Sequence, residues 1–246
     1  MFNPKTKKIE KISELHQPEI NQLESFFTGD VGVYIDYANV RPWSVKLNWN
    51  IDLKRLKQFL DSFDNIKSVK FYDGTLKGDK DSEKSAELKK MIFKDGFKTK
   101  PVKIIHQSID FTSIKLNSPD LLDKFIRRCL LRKYNLETVE YLNLKFKEMN
   151  ENGIYFIEDR KCNFDVEIGR DILLDYERNN IETFILWSGD SDFYDPLEHL
   201  LKNNKKVILF ATVGRIAKEL NNLQEAGLEI FDIKKIREFI CWKKQI

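Results

Sequence analysis

The 246-residue chain has few of the side chains that build redox and soft-metal sites, with three cysteines and three histidines. Cys129, Cys162 and Cys241 are odd in number and widely spaced, and no CxxC pair occurs, so neither a disulfide framework nor a zinc knuckle is expected. His16, His106 and His199 show no HExxH or HxH spacing, which removes support for a histidine zinc site or a His-dependent triad. No apolar run approaches the roughly 18 residues that a membrane helix needs. Residues 1–29 are charged throughout, without the apolar stretch and small-residue cleavage site of a secretory signal. A cytoplasmic protein with no membrane association is expected. Neither GxGxxG nor GxxxxGK followed by Ser or Thr is present to cradle a dinucleotide or triphosphate. Whatever chemistry exists falls to carboxylates.

What the chain does contain is a globular composition, 41% hydrophobic and 33% charged, with a net charge of only +3 from 42 basic and 39 acidic residues. The basic residues cluster at Lys98, Lys100 and Lys103, at Arg127, Arg128, Arg132 and Lys133, and near Lys202 and Lys234. Each cluster suits a phosphate backbone, and each is equally a solvated face. Apolar runs at 31–35, 68–72, 183–187, 206–211 and 228–231 alternate with helical patterns, among them 53–63, 82–95, 165–178 and 214–226. Asp52 is a cap for the first of these helices. Residues 97–105 read as extended, with Pro101 suited to an edge. The expected fold is α/β, a Rossmann-like, mostly parallel sheet with helices on both faces. Residues 106–153 break the alternation and read as a helical insertion, while residues 1–29 read as an N-terminal extension to a domain spanning 30–246.

In an open parallel sheet ligands bind beyond the carboxyl ends of the strands. Asp36 ends the first apolar run, Asp190 and Asp192 follow the run at 183–187 in WSGDSDF, and Asp165 opens a helix. Four carboxylates gathered at one edge raise one another's pKa unless cations neutralise them. Oxygen-only donors favour Mg²⁺ or Mn²⁺, and a pair of such ions suits phosphodiester chemistry. Each residue also has a purely structural reading. Asp36 can start an Asx-turn, Asn39 can close that turn or orient a water or ligate, and Asp165 can satisfy its own helix amides. Asp195, before Pro196 and three residues from Glu198, reads as the cap of the following helix, leaving Asp190 and Asp192 without a local duty; Ser188-Gly189 supplies a tight turn. Glu167 and Asp171 share a helix face and can pair with Arg170 or Lys161, and Asp175 with Arg178 reads as a surface pair.

The segments VYIDYAN at 33–39, KCNFDVEIGRD at 161–171, WSGDSDFYDPLEHL at 187–200 and KVILFAT at 206–212 resemble the NYN domains of the PIN-like nuclease superfamily, including its LabA-like branch. The order of the pieces is that of the family, although the segment that usually reads like KGVD is here Lys161-Cys-Asn-Phe-Asp165 and lacks its glycine. The resemblance implies a PIN-like fold and a ribonuclease that hydrolyses RNA phosphodiester bonds with Mg²⁺ or Mn²⁺. It makes Asp36, Asp165, Asp190 and Asp192 the metal ligands and has Asn39 hold the site or its water, with Asp171 on a family-like acidic position. Lys77, Lys80, Arg127 and Arg128 are candidate RNA contacts, and the insertion is a candidate homodimer surface. Tyr37 and Trp43 are candidates for base stacking or, more simply, for core packing. The rival readings are a non-cleaving RNA- or nucleotide-binding module of the same fold and a small-molecule phosphatase.

Overall fold

The strand Val31–Asp36 (β1) is buried at all six positions, and Thr183–Trp187 (β7) at all five. Continuous burial of this kind means that both faces of the sheet are covered, as parallel packing requires. A computed structural model of the chain describes residues 1–44, 49–110, 135–212 and 214–243. Among these, six strands form one sheet. Ile66–Tyr72 (β3) and the edge strand Phe97–Lys98 (β4) lie on one side of β1, and β7, Lys206–Ala211 (β8) and Glu229–Asp232 (β9) lie on the other. Every pair in it is parallel. The chain builds outward from β1 in one direction and then returns to build outward in the other. β1 and β7 therefore flank the switch point, where an open sheet leaves a crevice at its carboxyl end.

Local chemistry accounts for the helices. Asp52 caps Leu53–Leu60 (α4) by accepting from the amides of Lys54 and Arg55, and the helix buries Leu56, Phe59 and Leu60. Thr6 caps Lys7–Leu15 (α1), and Pro18 lies in the first turn of Gln17–Phe26 (α2). These two helices carry Ile9, Ile20 and Leu23 into the core, followed by Phe27, whose ring lies 4.8 Å from that of Phe63 and 6.4 Å from that of Phe210. Burying such a side chain contributes about 1.5–3 kcal/mol, so residues 1–29 are packed onto the sheet rather than trailing from it. At the other end, Cys241–Lys243 (β10) pairs antiparallel with Trp49–Ile51 (β2), and the Arg55 guanidinium donates to the carbonyls of Phe239 at 3.2 Å and Cys241 at 2.6 Å.

The chain divides into two compact units, Met1–Pro101 with Cys162–Ile246, and Val102–Lys161. The stretch read as one extended piece from 97 to 105 is split between them. Phe97–Lys98 joins the main sheet, while Lys103–Ser108 (β5) pairs antiparallel with Phe156–Lys161 (β6) in the second unit. That unit also holds the helix Leu136–Glu151 (α6), capped by Asn135, so it is a ribbon plus helix rather than helices alone. The Asn150 side chain knits it together by donating to the carbonyls of Ile109 at 2.8 Å and Ile154 at 3.0 Å. The first helix expected in the insertion, near 118, lies outside the described residues.

Candidate metal centre

Side by side, β1 and β7 release their chains into the switch-point crevice, with Ile35 opposite Trp187 in the ladder. A run of hydrogen bonds then ties the two exits together. The Ser188 hydroxyl donates to Asp36 Oδ2 at 3.3 Å and accepts from the Asp190 amide at 3.3 Å. Gly189 N–H donates to Asn39 Oδ1 at 3.2 Å, and Asn39 N–H donates to Asp36 Oδ1 at 3.3 Å. Asp165, the first residue of Asp165–Arg178 (α7), brings a third chain segment to the place. One carboxylate oxygen from each of Asp165, Asp190 and Asp192 lies within 4.8 Å of the others.

The electrostatics show what this gathering costs. Burial pushes the Asp36 carboxyl up to about 6, assisted by the charges of Asp165 and Asp190 and opposed by its bonds to Asn39 and Ser188. Asp165 is likewise pushed up to about 6, by burial and then by Asp192 and Asp190. Among the described residues, none of the four aspartates is in an ion pair with a basic side chain. The donor set is thus concentrated, oxygen-only and uncompensated, which fits a hard divalent cation such as Mg²⁺ or Mn²⁺.

The neighbouring acids behave differently. Asp171 accepts from the Tyr72 hydroxyl at 2.8 Å and from the Arg170 guanidinium at 2.9 Å. Burial pushes its carboxyl up, but Arg170, Tyr72 and Lys70 outweigh that and hold it below the usual range. Asp175 is not the surface partner of Arg178 that its spacing suggested. It is buried, takes the Tyr34 hydroxyl, and pairs with Lys70 at 2.8 Å, a residue on β3 that sequence proximity does not reveal. Glu167 pairs with Lys100 at 2.5 Å.

Capping duties are also redistributed. The helix expected at Pro196 begins at Tyr194 (Tyr194–Lys202, α8), with Phe193 at its cap and no side-chain cap bond, so Asp195 lies within the first turn. Asp190 instead accepts from the Asp192 amide at 3.2 Å and caps the short 3₁₀ turn Ser191–Phe193. Asp165 makes no cap bond to its own helix, and its amide donates to Asn163. Gly189 is needed for close approach rather than for a turn: a Cβ there would lie 1.7 Å from the Arg215 carbonyl oxygen. Trp43 is buried and the Tyr37 ring lies tilted against Phe71 with centroids 4.9 Å apart, so both belong to the packing. Lys77 is exposed on its loop and Lys80 opens Lys80–Phe93 (α5), whereas Arg127 and Arg128 lie outside the described residues. Arg215, which sequence reasoning passed over, stands against Gly189 in the loop after β8; its signal was a basic residue just past the carboxyl end of another central strand.

The family model for the NYN domain matches residues 117–228. Over 94 residues the chain is 29% identical to the low amplitude and bright protein LabA of Synechococcus elongatus, a stretch covering 38% of this chain and 48% of that protein. These two matches support an NYN domain protein of the LabA-like branch. The matched region takes in Asp165, Asp190 and Asp192, while β1 and Asp36 lie upstream of it. The match spans about half the length of LabA. NYN domains fall in the PIN-like nuclease superfamily, whose members usually use divalent metals, and the parallel sheet of this chain agrees with that fold. A crystal structure of a Vibrio parahaemolyticus protein of unknown function aligns with 86% of this chain and 96% of its own, at 16% identity and a TM-score of 0.49, a likeness too distant to add to the argument. Among the described residues, no helix is long and apolar enough to cross a membrane.

Proposed function

We propose that this protein is a metal-dependent ribonuclease of the NYN family, with Asp36, Asp165, Asp190 and Asp192 as the ligands of Mg²⁺ or Mn²⁺. The observation that supports it is the set of carboxylates at the switch point with no protein cation among them, set beside acids of the same unit that do have one. Concentrated negative charge would repel a polyanion, so a chain evolved only to hold RNA gains nothing from it unless a cation is bound. A bound divalent ion supplies Lewis-acid stabilisation of phosphoryl oxygens and a more acidic water.

The residues of the chain do the rest. Ser188 and the amides of Asn39 and Asp190 fix the carboxylates of β1 and β7 against each other, so little is reorganised when they are charged. Asn39, whose side-chain oxygen already accepts from Gly189, works as a positioning residue that holds the two strand exits in register. Asp165 and Asp192, less buried than Asp36, offer the solvent-facing oxygens that a phosphate and a water meet. Hydrolysis there takes up one water and leaves a phosphomonoester and a hydroxyl. Lys77 and Lys80 remain proposed contacts to the RNA backbone.

The experiment is incubation of labelled RNA with Mn²⁺ beside the Asp190→Asn variant. Cleavage by the parent, reduced at least about 100-fold in the variant, is the expected result. Equal cleavage by both proteins, or binding without cleavage by the parent, overturns the reading, the latter in favour of a binding module.

A further inference from the structure

Between the loop after β1 and the loop after β8 is a cavity of about 490 Å³ whose wall includes Asn39, Trp43, Gly189, Asp190, Arg215 and Ile216. It opens directly beside the acidic cluster, since Asp190 belongs to both. Its far wall is held rigidly. The Ala217 amide donates to the Gly189 carbonyl at 2.9 Å, the Arg215 amide closes a turn on Thr212 at 3.0 Å, and the Arg215 carbonyl packs where a glycine alone can stand.

Arg215 itself has unmet needs. Its Nε is buried without a hydrogen-bond partner, and among the described residues no carboxylate forms an ion pair with it, although Asp190 lines the same cavity. A buried donor on a charged group is costly when unpaired, and the fold could have removed that cost with Asp190 had it used the arginine as a counterion. The planar guanidinium is built for bidentate contact with phosphate oxygens. A volume of this size accepts one nucleotide, with Ile216 supplying apolar wall and Asn39 a polar one.

We propose that this cavity is a nucleotide subsite of the same active centre, in which Arg215 holds the backbone phosphate adjacent to the one cleaved in single-stranded RNA. The assignment rests on the ribonuclease reading for the class of its ligand. It makes Arg215 a substrate-binding residue and the β8 loop a determinant of where the strand lies across the cluster.

The test is fluorescence anisotropy with the full chain and a labelled single-stranded oligoribonucleotide on the order of ten nucleotides long. It is run in Ca²⁺, which suits oxygen donors with looser geometry, and the oligomer is checked for intactness on a gel. Arg215→Gln is expected to weaken binding about tenfold and to lower the slope of log affinity against log salt by about 0.7, the value for one lost phosphate contact on a single strand. Arg215→Lys should restore the slope while recovering only part of the affinity. An unchanged affinity and slope in Arg215→Gln, a lowered thermal midpoint with an unchanged slope, or no binding by the parent overturns the proposal. The two readings fail separately. A parent that binds through Arg215 but leaves the RNA intact in Mn²⁺ sinks the ribonuclease reading, and one that cleaves with the same KM and rate after Arg215→Gln sinks the subsite.

Discussion

Two carboxylates of one helix, Asp165 at its start and Asp171 less than two turns on, experience opposite fields. Asp165 is pushed up to about 6 by burial and by other acids, while Asp171 is held low by Arg170, Tyr72 and Lys70 despite burial. One turn further, Asp175 is buried against Lys70 and Tyr34. The fold thus has the means to neutralise acids along this helix and does so for Glu167 as well as for these two. It withholds that provision where the helix meets the ends of β1 and β7. An aspartate with a built-in cation holds the protein together, and one without is left open to the divalent ion proposed above.

Three substitutions probe that division, the largest effect first. Asp175→Ala strands the Lys70 ammonium and the Tyr34 hydroxyl in the interior and should cost roughly 3 kcal/mol. That lowers the thermal midpoint by about 6–12 °C and leaves Mn²⁺ binding in place; loss of Mn²⁺ binding would erase the distinction between the two groups. Gly189→Ala forces a methyl into the Arg215 carbonyl and should cost about 1–3 kcal/mol, with RNA cleavage falling further than stability alone explains, because the exit of β7 must move. Asp36→Asn should act in the opposite direction. With its folded carboxyl raised from 3.8 to about 6, the native state keeps a proton that the unfolded chain has lost between those values. The metal-free parent therefore gains stability as pH falls through about 6. Removing the charge should raise the metal-free midpoint at pH 7.5 by about 2–4 °C, corresponding to about 1 kcal/mol, and by less at pH 5. Calorimetry in chelator at the two pH values checks this, and an equal change at both would contradict it.

The parts of the site that the sequence made legible are those written locally. Asp36 closes an apolar run, and Asp190 and Asp192 stand directly behind another, so strand ends alone brought them to one edge. Asp165 was legible because an aspartate opens its helix. Partners distant in sequence were not legible. Asp175 is three residues from Arg178 in the chain and bonds Lys70, 105 positions away. The cap was misplaced from Asp190 to Asp195 because a carboxylate before proline gives the stronger local signal, whereas the 3₁₀ turn at Ser191–Phe193 has none. Gly189 and Arg215 follow the same rule, since the close approach that requires the glycine is made by a loop 26 residues further on. The break between Phe97–Lys98 and Lys103–Ser108 depended on which strands were available for pairing, and an extended pattern does not carry that information.

The central claim is that the uncompensated aspartates, and not their neutralised neighbours, hold a divalent ion. Its most direct test is the thermal midpoint of the parent, Asp165→Asn and Asp171→Asn at pH 7.5 with and without Mn²⁺. Saturating ion at about 100 times its dissociation constant stabilises a folded site by about 2.7 kcal/mol. The parent and Asp171→Asn should therefore both rise by several degrees, about 2–4 °C for each kcal/mol, and Asp165→Asn should hardly move. A parent that ignores Mn²⁺, or two variants that respond alike, would contradict the account.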